Sequence, residues 1–427
     1  MSYKTVDAIE VRIWDKVVGA VALEPKLEYY AFEYHPDFVK TGIELAPKYM
    51  PLQAGAEPFV FPSLPELTFR RLPALLADAL PDDFGNSLIN AWMASKGVKV
   101  DEVTPLDRLA YMGKRGIGAL EFRPTRGPKT KPTAIDMKSL VEEARRAIRG
   151  QLDTHDLAIS ALQQIIQVGT SAGGARAKAA VAWNRKTDEL RAGQFDADSG
   201  FEHWILKFDG LGKDKELGSP QGYGRIEYAY SMMAEAAGIK MSESRLLEEN
   251  GRAHFMTKRF DRDGNRKHHL QSLCALAHLD YRQKATHDYN QFFQLIEELR
   301  LGPEAMEEGF RRVAFNVMAK DCDDHTKNLS FLLREGGAWQ LSPAYDITHA
   351  YNPKGDWTYQ HLMSVNGKFA NIARSDLEVV ADRFGIGTAT NVLRQVGAAV
   401  AEWPDFARRA GVPRNSIKQI RKDHVLL

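Results

Sequence analysis

An apolar stripe at helical spacing, Met306, Phe310, Val313 and Val317, runs into the polar segment Asp321-Cys322-Asp323-Asp324-His325-Thr326-Lys327-Asn328. Residues three or four apart share a helix face, so the stripe predicts a buried helix that ends just before the aspartates. A buried helix is a rigid base for a loop that must hold side chains accurately. Beyond the loop, Leu329-Ser330-Phe331-Leu332-Leu333 and Trp339-Gln340-Leu341 read as a hairpin, and Leu341-Ser342-Pro343-Ala344-Tyr345-Asp346-Ile347 brings another carboxylate, Asp346, to its end.

The rest of the chain divides by period. Ile9, Val11 and Ile13 alternate with polar residues, as in a half-buried strand; Asp15-Lys16 reads as a turn and Val17–Leu23 as the return strand. Tyr29–Tyr34 reads as a further strand, and helical spacing follows at Leu72–Leu80 and near Asn86–Lys96. Residues 1–125 thus form a β-rich subdomain, and Arg123–Pro132, rich in Pro, Gly and positive charge, is the candidate linker. Met137–Arg149 reads as an amphipathic helix, with strand signals at Gln167-Val168-Gly169 and Ala179–Trp183. From about residue 290 onward helical periodicity dominates. A β-containing half followed by a helical half is an α+β pattern, not an alternating βαβ one.

With 427 residues, 44% of them apolar and 26% charged, the chain has the composition of a globular protein of two or three domains. A net charge of +1 gives no general reason to expect a nucleic-acid or membrane surface. Cys274 and Cys322 stand far apart without metal spacing, which suits a reducing cytosol. No secretion signal and no run of about 18 apolar residues is seen, so a cytoplasmic protein without membrane partners is expected.

Phosphoryl transfer asks for a carboxylate that orients a hydroxyl nucleophile and for oxygen ligands that hold Mg²⁺ against phosphates. Asp323 and Asn328 have the spacing of a kinase catalytic-loop Asp and its metal-binding Asn, and Asp346 supplies the later metal carboxylate. An acidic run alone would be a solvated turn; the register of Asn328 and Asp346 argues otherwise. In Phe201–Phe208, Trp204, Leu206 and Phe208 share one strand face, leaving Ile205 and Lys207 on the other. A lysine there must find a phosphate or a carboxylate. The candidate carboxylate is Glu227, at the edge of a helical stripe made by Ile226, Tyr230, Met233 and Ala237. Taken singly, each is more often explained as a snorkelling edge-strand Lys or a surface helix Glu.

Gly169-Thr170-Ser171-Ala172-Gly173-Gly174-Ala175-Arg176-Ala177-Lys178 is a Gly-rich turn able to bring backbone N–H groups to phosphates, though it is neither a Walker A loop nor GxGxxG. Ala253–Arg262 reads as a strand running into a connection, where a kinase hinge would meet adenine. Asp261-Arg262-Asp263-Gly264-Asn265 is excluded as a calcium loop because its glycine falls too early. His268, His269 and His278 lack zinc spacing.

Taken in order, these segments resemble the HipA-type Ser/Thr kinase toxins of bacterial toxin–antitoxin pairs. The likeness runs from about residue 10 to about residue 400. It rests on Val18-Gly19, Leu80-Pro81-Asp82, Gly169–Lys178, Trp204–Phe208, Glu227 with Met233-Ala234, Lys258–Arg262, Asp323–Asn328 and Tyr345-Asp346. The resemblance implies a bilobal kinase-like fold: an N-terminal subdomain over 1–125, an N-lobe over 133–257 and a helical C-lobe over 258–427. It implies ATP and Mg²⁺ as cofactors, Asp323 as catalytic residue, and Asn328 and Asp346 as metal ligands. Lys207, Ser171, Gly173, Gly174, Glu227 and His325 would serve ATP, and main-chain groups of Lys258 and Phe260 would meet adenine. Ser171 would be the autophosphorylation site, although Thr170 adjoins it and Ala177 stands where relatives often carry Pro; at the hinge, Lys258 stands where many relatives carry Glu. The implied partners are a protein substrate tied to translation, an aminoacyl-tRNA synthetase in relatives, and a small DNA-binding antitoxin of HipB type. Direct nucleic-acid contact is expected only within an antitoxin–DNA complex. The alternatives are a small-molecule kinase and an inactive nucleotide-binding co-repressor.

Overall fold

Ile9, Val11 and Ile13 are all fully buried. Their alternation makes β1 (Ala8–Ile13) a strand with one face in the core, paired antiparallel with β2 (Lys16–Glu24), which in turn pairs with β3 (Tyr29–Tyr34). The turn is Trp14-Asp15, with φ of 46° and 61°, the left-handed pair that a two-residue hairpin turn requires. It lies one residue earlier than the sequence suggests, because Lys16 already pairs with Ile13. Strand β4 (Glu121–Arg123) adds to β1, giving the order β3-β2-β1-β4. The helix Pro105–Met112 starts at a capping box between Thr104 and Asp107, and Arg108 reaches Asn86 and Asn90 of the helix Asp83–Ala94 at 3.0 and 2.8 Å.

This computed structural model describes every residue except 1–2, 54, 56, 82, 129–177, 210–221 and 250, and leaves out the side chain of 84. The expected helix at Met137–Arg149, the strand at Gln167–Gly169, the Gly-rich loop with Thr170, Ser171, Gly173 and Gly174, and Asp82 lie outside the described residues. The chain forms two compact units. One comprises Met1–Leu206, Asp261–Asp280 and Leu332–Ala338; the other comprises Lys207–Phe260, Tyr281–Phe331 and Trp339–Leu427. In the first unit, β5 (Lys178–Asn184) and β6 (Glu189–Ala192) form an antiparallel hairpin with Val181 opposite Ala192. β7 (Glu202–Lys207) follows, and both of its faces are covered: His203 and Ile205 are buried as well as Trp204 and Leu206.

The second unit builds on a hairpin of β8 (Ser244–Glu249) and β9 (Arg252–Lys258) and on the helix Tyr223–Ala236. Asp209 accepts hydrogen bonds from the N–H groups of Gly222 and Tyr223, so a carboxylate meets the positive end of that helix. Gly224 lies on the β9 backbone: a Cβ there would come within 2.0 Å of the Ala253 carbonyl oxygen. The buried face is Gly224, Glu227, Ala229, Tyr230, Ser231, Met233 and Ala234. Ile226, expected in the apolar stripe, is only half-buried, and Glu227, expected at its edge, lies inside it. The periodicity misplaces the face because a paired carboxylate can be buried like an apolar residue.

The helix Pro303–Ala319 carries Phe310, Val313, Phe315 and Met318, all fully buried, each worth about 1.5–3 kcal/mol of apolar burial. Met306 is half-buried, while Glu308, Arg311, Arg312 and Asn316 are buried too, so the helix is enclosed well beyond its apolar stripe. Each has a partner. Arg312 pairs with Glu308 and the Ser342 carbonyl, Arg311 with the Ala237 carbonyl and Gln395, and Asn316 with the Tyr289 hydroxyl. The helix stops at Lys320, whose φ of 57° is left-handed. Tyr230 donates to the Ala319 carbonyl at 2.7 Å and lies 2.8 Å from Nε2 of His424, tying the Tyr223–Ala236 helix to this helix end. Helices Tyr289–Glu298, Arg374–Arg383, Ala389–Ala401, Trp403–Arg409 and Arg414–Asp423 complete the unit. No described helix is long and apolar enough to cross a membrane.

Replacing Gly224 with Ala should destabilise the protein by about 1–3 kcal/mol, although alanine is the better helix former, because the added methyl meets backbone. Urea denaturation checks this; a raised midpoint for Gly224→Ala would refute the close approach.

Candidate active site

Lys207 closes β7, and its ammonium is held between two carboxylates, Glu227 of the Tyr223–Ala236 helix and Asp346. The side chains of Lys207, Glu227 and Asp346 are 11, 3 and 20% exposed. Burial alone would lower the lysine pKa, but the charges of Asp346 and Glu227 outweigh it and raise it above the ordinary value. The ammonium therefore keeps its proton. Asp346 is positioned from behind: the Ala344 N–H donates to the Lys240 carbonyl at 2.8 Å, and Ala344 bridges to Met241. Its own φ is 55°, a left-handed conformation that Asp tolerates better than most residues.

The loop Asp321–Asn328 is fixed chiefly through Asp324. Oδ2 of Asp324 accepts from the Tyr289 hydroxyl and from Nδ1 of His361, both at 2.8 Å, and Oδ1 accepts from the Leu362 N–H at 2.7 Å. His361 is buried, which would lower its pKa, yet the Asp324 carboxylate raises it to about 10, so it is an imidazolium. At the loop's start, the Cys322 N–H donates to the Ala350 carbonyl and the Ala350 N–H to the Lys320 carbonyl, at 3.0 and 3.1 Å.

Asp323 stands differently from Asp324. Its side chain is 39% exposed, and its Oδ1 accepts from the Trp357 indole N–H at 2.7 Å. Nε2 of His325 lies 3.9 Å from the same oxygen. Partial loss of water, with the negative charges of Asp346 and Asp324 added, moves the Asp323 carboxyl upward; His325 and the Trp357 hydrogen bond oppose the shift. The Asn328 amide nitrogen donates to the Asp323 carbonyl at 2.8 Å, so the amide oxygen is the atom that could ligate a cation. Asn328 and Asp346 line one small recess together with Asp321 and Asp324.

That recess is a plausible seat for a hard cation on chemical grounds. Its donors are carboxylate and amide oxygens, which suit Mg²⁺. It also contains a buried oxygen with no hydrogen-bond partner, Oδ1 of Asp321. Among the described residues, no three His, Cys, Asp or Glu side chains close on a metal by themselves. Phosphate oxygens and water would have to complete the shell, as Mg²⁺ commonly allows.

Phe260 lies beside the site, its ring 5.8 Å from that of Tyr345. The Lys258 N–H donates to the Glu243 carbonyl at 2.8 Å, so it is already engaged within the protein. His325 is buried, stacked edge-on to Tyr281 at 5.3 Å. Sequence reasoning missed Trp357, Tyr289 and His361. All three reach the loop from far along the chain, with no spacing that would mark them. Their type was the available signal, since a buried carboxylate such as Asp324 needs donors from somewhere.

The His361–Asp324 pair carries a pH signature. The folded pKa of His361 lies above its unfolded value, so the pair's stabilisation is full below about pH 6.5 and is lost as pH rises through about 10. His361→Gln should lower stability by roughly 3–5 kcal/mol near pH 6 by leaving Asp324 short of its cation. The gap from wild type should shrink towards pH 10, as read by urea titrations at both ends.

Residues 170–420 match the HipA-like C-terminal domain, and residues 9–123 match the HipA N-terminal domain. A comparison with curated protein sequences gives no match. Among solved structures, a chain of the Shewanella oneidensis MR-1 toxin–antitoxin system HipA, HipB and operator DNA complex superposes with a TM-score of 0.67 at 16% identity, covering 97% of this chain and 95% of that one. That likeness is one of fold. The Helicobacter pylori proinflammatory kinase CtkA matches at 12% identity over 59% of this chain and 90% of that one, with a TM-score of 0.36, too low to carry an argument. With both domain matches in place and in order, this mixed α/β chain belongs to the HipA-type toxin family.

Proposed function

We propose that the chain is an ATP-dependent Ser/Thr protein kinase and the toxin of a bacterial toxin–antitoxin pair. The observation that carries this reading is the convergence, within one compact unit, of Lys207, Glu227 and Asp346 in one ion cluster, with Asn328 bonded to the loop of Asp323. Bound Mg²⁺–ATP would supply the phosphoryl group and offset the charge on its oxygens. Asn328 and Asp346 would hold the cation, and Lys207 would turn to the phosphates while Glu227 keeps it in place. Trp357 holds one oxygen of Asp323, leaving the other to orient a substrate hydroxyl and take its proton. His325 and Trp357 shield the back of that carboxylate, and Phe260 with the Lys258 carbonyl would meet the base.

Ser171, or Thr170 beside it, is the proposed autophosphorylation site; a phosphate there would repel the nucleotide phosphates and shut the kinase off. The Shewanella chain was solved with HipB and operator DNA, which supports a HipB-type antitoxin as partner here. A cytoplasmic location and a translation-related protein substrate, such as an aminoacyl-tRNA synthetase, complete the proposal.

Incubation with labelled ATP and Mg²⁺ should place phosphate on Ser171 or Thr170. Asp323→Asn should slow this by about 10²–10⁴-fold. Equal labelling of wild type and variant would end the assignment. Phosphoproteomics after expression of each form would identify the substrate.

A further inference from the structure

Most polar groups lining the recess beside Asn328 and Asp346 have protein partners. Asp324 is held by Tyr289, His361 and the Leu362 N–H. The cation among the lining residues, Arg312, is paired with Glu308 and the Ser342 carbonyl. Asn316 donates to Tyr289, and Asp346 is in contact with Lys207. Asp321 is the exception. It is 4% exposed, and its Oδ2 accepts only a long bond from the Thr348 N–H, at 3.2 Å. Its Oδ1 has no hydrogen-bond partner among the described residues. Leaving a buried carboxylate oxygen bare costs more than any single hydrogen bond gains, so such a group is retained where something else meets it.

What meets it must bring positive charge or a donor, because Asp323 and Asp324 already crowd the same loop with negative charge. Mg²⁺ is commonly bound through only one or two protein groups, the part proposed for Asn328 and Asp346. Mg²⁺ dehydrates reluctantly and keeps several waters, each a strong donor to a nearby carboxylate. Resting on the kinase reading above, we propose that Asp321 is a positioning residue of the cation site, its Oδ1 accepting a hydrogen bond from a water of the Mg²⁺ hydration shell while Asn328 and Asp346 hold the ion. Partners of this kind orient the shell and add charge without touching the metal.

The test uses the full chain, Mn²⁺ as a paramagnetic probe and a non-hydrolysable ATP analogue, with free Mn²⁺ read by electron paramagnetic resonance. Asp321→Asn keeps the shape and removes the charge. It should weaken Mn²⁺ binding by about 10–100-fold. The metal-free protein should melt no lower than wild type, because a buried unpartnered carboxylate has gone. Should the Asn variant fail to fold, Asp321→Ser is expected to show the same loss. Wild-type affinity in a folded Asp321 variant overturns the inference. Asp346→Asn separates this failure from that of the underlying reading: if it too binds Mn²⁺ like wild type, or if wild type binds none, the cation site itself is wrong.

Discussion

A buried ammonium must find negative charge, and the arrangement around Lys207 follows from that need. Glu227 and Asp346 come from a helix and from the segment after a hairpin, and both side chains close on one lysine. Removing the lysine would leave two carboxylates facing one another in a region with little water. The pair therefore fixes the Tyr223–Ala236 helix relative to the Asp346 segment. Gly224 allows the close backbone approach that puts Glu227 within reach, and Arg311 bonding the Ala237 carbonyl secures the other end of the helix.

The loop Asp321–Asn328 shows how neighbouring aspartates acquire different characters. Asp324 is saturated by a phenol, an imidazolium and a backbone N–H, and it acts as the anchor. Asp323 keeps access to solvent with one oxygen held by an indole. Asp321 is enclosed and half-satisfied. Identical side chains within four positions thus become a strut, a reactive group and an open acceptor through their surroundings alone.

Local periodicity and spacing made much of this legible. The β1–β2 hairpin, the Pro303–Ala319 helix, the neighbouring strands Ser330–Leu333 and Trp339–Leu341 after the loop, and the contact between Lys207 and Glu227 could be read from the residues. The Tyr223–Ala236 stripe was read with one error: Glu227 was placed at its edge, whereas it is buried because it has a partner, and Ile226 is only half-buried. The donors to Asp323 and Asp324 were not legible, since Trp357 and His361 lie more than 30 positions away and no short-range pattern records such contacts. The return of residues 261–280 and 332–338 to the first unit was hidden for the same reason.

The contact between Lys207 and Asp346 has a thermodynamic consequence. As it stands, one ammonium serves two carboxylates, Glu227 and Asp346. A cation that drew Asp346 away would leave Lys207 to Glu227 alone and so freer to meet a phosphate, and a phosphate that drew Lys207 away would leave Asp346 in need of another cation. On the proposed function, each ligand would remove the competitor of the other, and by linkage the two affinities would rise by the same factor. Metal and nucleotide would be expected to enter as a cooperative pair, with the internal ion pair acting as a latch that neither opens well alone.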